Sequence, residues 1–111
     1  MNIEEAKKIT LSLIHTFNKA NQVALDLRKK GLKKEIKIDK SPVSNGDIEV
    51  NKILTNKIKE ITPNIPIVSE ENSDHKNSTN LNNFWLIDPI DGTREYINNR
   101  DEFTINAALI I

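Results

Sequence analysis

The feature that most constrains the fold of this chain is the stretch of residues 85–98, WLIDPIDGTREYIN. The apolar run at residues 85–87 is typical of a strand that lies buried in a sheet, and two acids, Asp88 and Asp91, follow it at once. Gly92 then permits a sharp turn. A fold that contains this stretch therefore brings two carboxylates together at the carboxyl end of a strand.

Two crowded carboxylates require a counter-charge. At a separation of about 4 Å and an effective dielectric near 20 they repel by roughly 4 kcal/mol. Oxygen ligands of this kind favour Mg²⁺. Pro89 pushes Asp88 towards extended geometry and leaves the Ile90 carbonyl free to turn inwards as a neutral third ligand. The alternative is that Asp-Pro and Asp-Gly are ordinary turn dipeptides with solvated acids.

The residues after Gly92 indicate an anion-binding turn. Thr93 can begin a short helix that runs to Tyr96 or Ile97. Because the first N–H groups of a helix have no partner within it, they would meet a phosphate.

The start of the chain predicts one long amphipathic helix over residues 3–30. Apolar residues recur there at alternating spacings of three and four, Asn2 is a suitable N-cap, and Gly31 is a natural stop. His15 lies off the apolar stripe, so we expect it to be structural or solvated rather than a ligand.

Residues 33–40 alternate apolar and charged side chains through Ile36 and Ile38, which predicts a half-buried strand that residues 41–43 either continue or turn. Ser44 can cap a second helix that begins near Gly46. The buried face of this helix is expected to consist of Val50, Ile53, Leu54, Ile58 and Ile61.

Asp47 has two readings, because it is an acid at the third position of this second helix. It is either the acid of a capping box or a carboxylate presented at the mouth of a site. The pair Glu70 and Glu71, after a short strand at residues 65–68, is likewise either solvated or a source of ligands.

Two further segments flank the acidic motif. Residues 72–83, which include His75, are polar and should form an exposed, mobile connection. Residues 103–111 should form another buried strand.

The composition excludes several classes of protein. The 16 basic and 16 acidic residues cancel, so no overall field favours a nucleic-acid polymer or an anionic membrane. The absence of cysteine excludes disulfides, thiolate zinc sites and a cysteine nucleophile, and is compatible with a cytoplasmic location. No apolar run is long enough for a membrane span.

Residues 85–96 read aromatic, apolar, apolar, Asp, Pro, apolar, Asp, Gly, Thr, two variable residues and an aromatic. This order resembles the metal-binding signature of the inositol monophosphatase family of Mg²⁺-dependent, Li⁺-sensitive phosphatases. Residues 39–47, DKSPVSNGD, are similar to the first loop of the family. The departure there is Asn45-Gly46, where small residues such as alanine are usual, and we expect Gly46 to weaken the first helical turn modestly.

The resemblance implies two or three Mg²⁺ ions and a set of ligands for them. Glu70 and Asp88, with the Ile90 carbonyl, would hold the first ion, and Asp88 and Asp91 would hold the second.

It also implies the groups that act on the substrate. Glu70, Thr93 and Asp47 would orient or deprotonate the attacking water, and the N–H groups of Gly92 and Thr93 would bind the phosphate.

The resemblance further implies an α/β architecture, the layered α+β fold of sugar phosphatases, with two helices packed on a mixed, largely antiparallel sheet. The chain would be the N-terminal part of one such domain, truncated at residue 111 and with no second domain. By itself it is expected to be weakly active or inactive.

Within the family, the segments DGTREYIN and EFTIN resemble the bacterial 3'(2'),5'-bisphosphate nucleotidases. The implied substrate is adenosine 3',5'-bisphosphate, hydrolysed to AMP and phosphate in sulfur assimilation. The alternatives are an inositol monophosphatase-type sugar phosphatase and a non-catalytic metal-binding fragment. A homodimer is among the expected assemblies.

Overall fold

The computed structural model describes residues 1–69 and 82–111. Within these residues the chain forms, in order, α1 (Ile3–Leu11), α2 (Ile14–Lys30), β1 (Lys34–Ile36), β2 (Pro42–Ser44), α3 (Asn45–Ile61), β3 (Ile67–Ser69), β4 (Phe84–Asp91), α4 (Thr93–Ile97) and β5 (Thr104–Ile110).

The described strands form two sheets. In the larger sheet the order is β3-β4-β5, with β3 parallel to β4 and β4 antiparallel to β5. In the smaller sheet β1 pairs with β2 in antiparallel fashion. This mixture of helices with a mixed sheet confirms the predicted α/β class.

The core lies between α2, α3 and the larger sheet. The indole N–H of Trp85 donates to Thr62 Oγ1 across 3.0 Å, so the largest buried side chain also has its polar atom satisfied. The predicted face of α3 is confirmed, since three of its members are buried and Ile53 and Ile61 pack against them. The buried hydrophobic residues are Leu13, Ala20, Ala24, Val50, Leu54, Ile58, Ile67, Trp85, Ile87, Ile90 and Tyr96.

The prediction of one continuous helix over residues 3–30 is wrong, because the helix is interrupted at Ser12 and Leu13. The Ser12 hydroxyl donates to the Ile9 carbonyl across 2.6 Å. The Leu13 N–H donates to the Thr10 carbonyl across 3.1 Å, so it bonds three residues back instead of the four of an α-helix. The break leaves Leu13 buried in the core. His15 is exposed beyond it, as predicted.

The prediction of a half-buried strand over residues 33–40 is also wrong. β1 ends at Ile36, which is 70% exposed, and the chain then reverses into β2. Asp39 stabilises the reversal by accepting from the N–H of Ser41 at 3.0 Å, and Lys40 adopts a left-handed φ of 67°. The apolar and charged residues do alternate in this segment. Because the chain reverses after Ile36, however, no other element in the described part of the chain covers the apolar side chains, and Ile36 and Ile38 are exposed.

The strands of the larger sheet are buried on one face only, which corrects two predictions. Leu86, expected to be buried with its neighbours, is 50% exposed, while the adjacent Trp85 and Ile87 are buried. β5 alternates between exposed and half-buried residues along its whole length. Because α3 packs against one face of β4, successive side chains of these strands point alternately towards and away from it.

Residues 70–81 lie outside the described part of the chain, so the expectations for Glu70, Glu71, His75 and most of the connection 72–83 lie outside it too. In the described residues, no helix is long and apolar enough to cross a membrane.

Candidate functional site

The carboxyl end of β4 is irregular in a way that changes the direction of its side chains. Asp88 pairs with Asn106 and Asp91 pairs with Thr104, so β4 advances three residues where β5 advances two. This is a β-bulge, and it contains Pro89, which has no N–H for the ladder. The bulge leaves Asp88 half-buried, Ile90 buried and Asp91 exposed.

The bulge forms one wall of a cleft of about 280 Å³. The start of α4, the turn between β1 and β2 and the first residue of β2 complete its lining. The lining residues are Lys37, Ser41, Pro42, Asp88, Ile90, Asp91, Gly92, Thr93, Arg94 and Glu95.

Gly92 makes the turn from β4 into α4. Its φ is +91°, and a Cβ at this position would lie 2.7 Å from the Glu102 carbonyl oxygen. Both the backbone conformation and the available space therefore require glycine. The predicted sharp turn and the short helix that begins at Thr93 are confirmed.

The first of the two readings of Asp47, the acid of a capping box, is confirmed. Its Oδ2 accepts from the Ser44 N–H at 2.9 Å and from the Ser44 hydroxyl at 2.6 Å, which completes a capping box at the start of α3. Its Oδ1 accepts from the Thr93 hydroxyl at 2.8 Å. One carboxylate oxygen of the buried Asp47 thus caps the helix, and the other is bonded to Thr93, which lines the cleft.

Thr93 is the link between Asp47 and the bulge. Its Oγ1 lies 2.8 Å from Asp47 Oδ1 and 3.1 Å from the Ile90 carbonyl oxygen. A hydroxyl has one proton to donate, and both neighbours are acceptors. The oxygen of Thr93 is therefore left to accept hydrogen bonds from the cleft.

The expectation that Gly46 merely weakens α3 needs correction. A Cβ at Gly46 would lie 2.7 Å from Cε2 and 2.8 Å from Cζ of the buried Tyr96 ring. Glycine at this position is therefore required by the close approach of the Tyr96 side chain to the first turn of α3. The sequence could not show this, because the two residues are far apart along the chain.

Burial raises the pKa of Tyr96 to about 12, and the negative charge of Asp47 adds to the shift. Above pH 10 a tyrosine in the unfolded chain loses its proton while folded Tyr96 keeps it, so the unfolded state binds fewer protons. We expect the stability contributed by Tyr96 to be constant below pH 10 and to fall as the pH rises from 10 to about 12, by up to about 3 kcal/mol.

Urea unfolding between pH 8 and pH 12 measures this loss. In Tyr96→Phe the free energy of unfolding should fall less steeply with pH than in the unsubstituted chain. The lysines titrate in both proteins, so the difference between the two slopes reports Tyr96. Equal slopes would contradict the assignment to Tyr96.

The donor atoms in the cleft fit a hard divalent cation. The cleft is lined by Asp88, Ile90 and Asp91. Their carboxylate and carbonyl groups can each offer an oxygen atom as a metal ligand. Residues 1–69 and 82–111 contain no group of three or more His, Cys, Asp or Glu side chains placed to hold a metal. The predicted ligand set therefore depends on Glu70, which lies outside the described residues.

The end of β3 adjoins the carboxyl end of β4, where Asp88 lies. Ser69 pairs with Ile87, the residue immediately before Asp88, and because β3 and β4 are parallel their carboxyl ends meet at the same edge of the sheet. The Ser69 hydroxyl donates to Asn51 Oδ1 of α3 across 2.6 Å. Ser69 is thus the last described residue before Glu70, and it is fixed to both the sheet and α3.

Sequence reasoning did not assign a site role to Lys37, Arg94 or Glu95, which also line the cleft. Arg94 and Glu95 lie inside the recognised motif, at positions where its pattern allows any residue. Lys37 lies in the turn between β1 and β2, and no local signal shows that this turn faces β4.

The chain matches the model of the inositol monophosphatase family over residues 5–111. The 3'(2'),5'-bisphosphate nucleotidase CysQ of Haemophilus influenzae is 40% identical over 78 residues, which are 68% of this chain and 29% of that protein. The protein of the same name from Escherichia coli K12 is 39% identical over 75 residues, 67% of this chain and 30% of that protein. The chain thus spans about 30% of the length of these curated relatives.

Solved structures of low sequence identity have the same fold. An IMPase of Thermotoga maritima superposes with a TM-score of 0.78 at 23% identity, covering 94% of this chain and 39% of that one. An IMPase/NADP phosphatase complexed with NADP and Ca²⁺ superposes with a TM-score of 0.79 at 21% identity, covering 99% of this chain and 41% of that one. Staphylococcal inositol monophosphatase-1 soaked in LiCl superposes with a TM-score of 0.78 at 21% identity, covering 98% of this chain and 40% of that one.

Proposed function

Because this chain belongs to the inositol monophosphatase family, we propose that the whole protein containing it is a Mg²⁺-dependent phosphatase that hydrolyses adenosine 3',5'-bisphosphate to AMP and phosphate. The observation that carries the proposal is the 2.8 Å hydrogen bond from Thr93 to buried Asp47, beside the cleft that Asp88, Ile90 and Asp91 line. The relatives described as bisphosphate nucleotidases support the choice of substrate.

The proposed cation ligands are Asp88, the Ile90 carbonyl and Asp91, together with Glu70, for two or three Mg²⁺ ions. The oxygen-only donor set of the described residues supports this choice over Zn²⁺. Bound Mg²⁺ supplies charge neutralisation at the phosphate and a lowered pKa for coordinated water. The ligand carboxylates set where the phosphate ester binds, and their net negative charge disfavours an anionic substrate when no cation is present.

Thr93 and Asp47 are proposed to orient the attacking water, with Glu70 as a further acceptor for its proton. Because the Thr93 hydroxyl donates to Asp47 Oδ1, its oxygen can only accept from a water molecule in the cleft. The water therefore donates one of its hydrogen bonds to the Thr93 oxygen. This orientation leaves a lone pair of the water free for in-line attack on phosphorus.

The N–H groups of Gly92 and Thr93 are proposed to bind the phosphate. They lie at the turn into α4, where the first N–H groups of a helix have no partner in that helix. The left-handed conformation of Gly92 directs this turn into the cleft beside Asp91.

Phosphate release by the purified whole protein tests the proposal. We expect release from adenosine 3',5'-bisphosphate that requires Mg²⁺, stops on addition of EDTA and is inhibited by Li⁺. Inositol 1-phosphate, the substrate of the second candidate function, should be hydrolysed with a lower kcat/KM. The motif supports this order, since Glu95-Tyr96 stands where inositol monophosphatases tend to have Asn-Phe.

The other outcomes separate the remaining hypotheses. No phosphate release from either substrate, together with a Mg²⁺-dependent rise in thermal midpoint, would indicate a non-catalytic metal-binding protein. No release and no shift would indicate that the acids are only surface turns. The proposal also predicts activity in the cytoplasmic fraction and a homodimer in sedimentation experiments.

A further inference from the structure

Tyr96 is fully buried at a point where four segments of the chain meet. Its hydroxyl donates to the Ala24 carbonyl of α2 across 2.6 Å. Its ring lies against Gly46 in the first turn of α3 and makes an edge-to-face contact with Phe103, with centroids 4.9 Å apart. One side chain of α4 thus contacts α2, α3 and the segment before β5.

Arg28 closes this arrangement from the side of α2. Its guanidinium carbon lies 5.5 Å from the centroid of the Tyr96 ring and 5.2 Å from that of Phe103. It also donates to the Arg100 carbonyl at 2.6 Å and to Asp101 Oδ1 at 2.8 Å. The segment after α4 is therefore tied to α2 independently of Tyr96.

Both contact residues lie next to the Asp47–Thr93 hydrogen bond. Gly46 directly precedes Asp47, and Tyr96 follows Thr93 by one turn of α4. Because no Cβ fits between Gly46 and the ring, the backbone at the start of α3 approaches the Tyr96 side chain of α4 as closely as glycine permits. The Thr93–Asp47 hydrogen bond joins the same two elements, because Asp47 is on α3 and Thr93 is on α4.

We propose that Tyr96 and Gly46 are a positioning pair, in which the ring anchored on Ala24 sets the distance between α3 and α4 and so holds the Asp47–Thr93 hydrogen bond at its observed length. The inference rests on the proposed function for its catalytic consequence.

The first test is steady-state kinetics on the whole protein with adenosine 3',5'-bisphosphate and Mg²⁺. Tyr96→Phe frees the ring from Ala24 and should lower kcat about fivefold, the equivalent of one hydrogen bond, with KM unchanged. Gly46→Ala forces the helices apart and should lower kcat about 100-fold. The double variant should recover part of this loss, because an unanchored ring can move away from the new methyl group.

A double-mutant cycle with Thr93→Val distinguishes positioning from general destabilisation. Thr93→Val removes the hydrogen bond to Asp47, so Tyr96→Phe should change kcat by less than about twofold on that background. An equal fold-change on both backgrounds would overturn the proposal, as would a Tyr96→Phe variant with unaltered kcat.

Thr62→Val is the matched control. It removes a buried hydroxyl that donates to the Ile58 carbonyl, far from the cleft along α3 and β4, and should lower the thermal midpoint without altering kcat.

The same variants decide the proposal if the whole protein hydrolyses no phosphate ester. In that case the proposed function fails, and the double-mutant cycle is measured from the urea concentration at the midpoint of unfolding of each variant. Tyr96→Phe and Thr93→Val should then shift the midpoint by less together than the sum of their separate shifts. Additive shifts would overturn the positioning role, and this cycle also applies if Gly46→Ala does not fold.

Discussion

Replacing Asp91 by Asn in the whole protein is expected to lower kcat/KM for adenosine 3',5'-bisphosphate about a thousandfold, an increase in barrier of ~4 kcal/mol. Asp91 lies exposed at the edge of the cleft, beyond the β-bulge, and contributes no side chain to the core. The change removes one negative charge from a proposed cation ligand at nearly constant volume. We therefore expect an unaltered thermal midpoint without Mg²⁺ and a weaker Mg²⁺-dependent rise in it.

Asp26→Asn is the control for this experiment. It makes the same chemical change on the exposed side of α2, where Asp26 accepts from Gln22 across 3.0 Å. This variant should retain full kcat/KM. If Asp91→Asn retained turnover comparable to that of Asp26→Asn, Asp91 would not be a metal ligand.

Replacing Trp85 by Ala is expected to lower the free energy of unfolding by about 4 kcal/mol. The side chain is fully buried and is the largest in the core, and its indole N–H donates to Thr62 Oγ1. Truncation leaves a large cavity beneath β4 and removes the hydrogen bond that Trp85 donates to Thr62, whose hydroxyl keeps its bond to the Ile58 carbonyl. Since domains of this size have stabilities of about 5–15 kcal/mol, the variant should be close to unfolding.

Leu86→Ala is the internal comparison, because the adjacent side chain points to the opposite face of the sheet and is 50% exposed. It should cost about 1 kcal/mol or less. Urea unfolding must be followed by circular dichroism, since Trp85 is the only tryptophan. Similar losses for the two variants would mean that both faces of β4 are covered.

Elements with strong local signals were predicted correctly. The second helix was located from Ser44, Asp47 and its apolar face, and the motif stretch was correctly read as strand, turn and short helix. The errors occurred where burial depends on distant neighbours. The alternation around Ile36 resembled that of a half-buried strand, yet the chain reverses there and leaves the side chain exposed.

The sequence by itself determined the chemistry of the candidate site. The order Asp-Pro-Ile-Asp-Gly-Thr specifies oxygen donors, a proline without an N–H and a glycine that permits a sharp turn, because each of these follows from the covalent structure of the residues concerned.

Only the tertiary structure decided how Asp47 and Gly46 contribute to the site. A carboxylate has two oxygens, and whether the second one caps a helix, faces solvent or accepts from Thr93 depends on where α4 lies. The position of α4 is set by Tyr96 against Gly46 and Ala24, contacts between residues 50 and 72 positions apart. Contacts of that separation arise from packing in three dimensions, so local sequence cannot specify them.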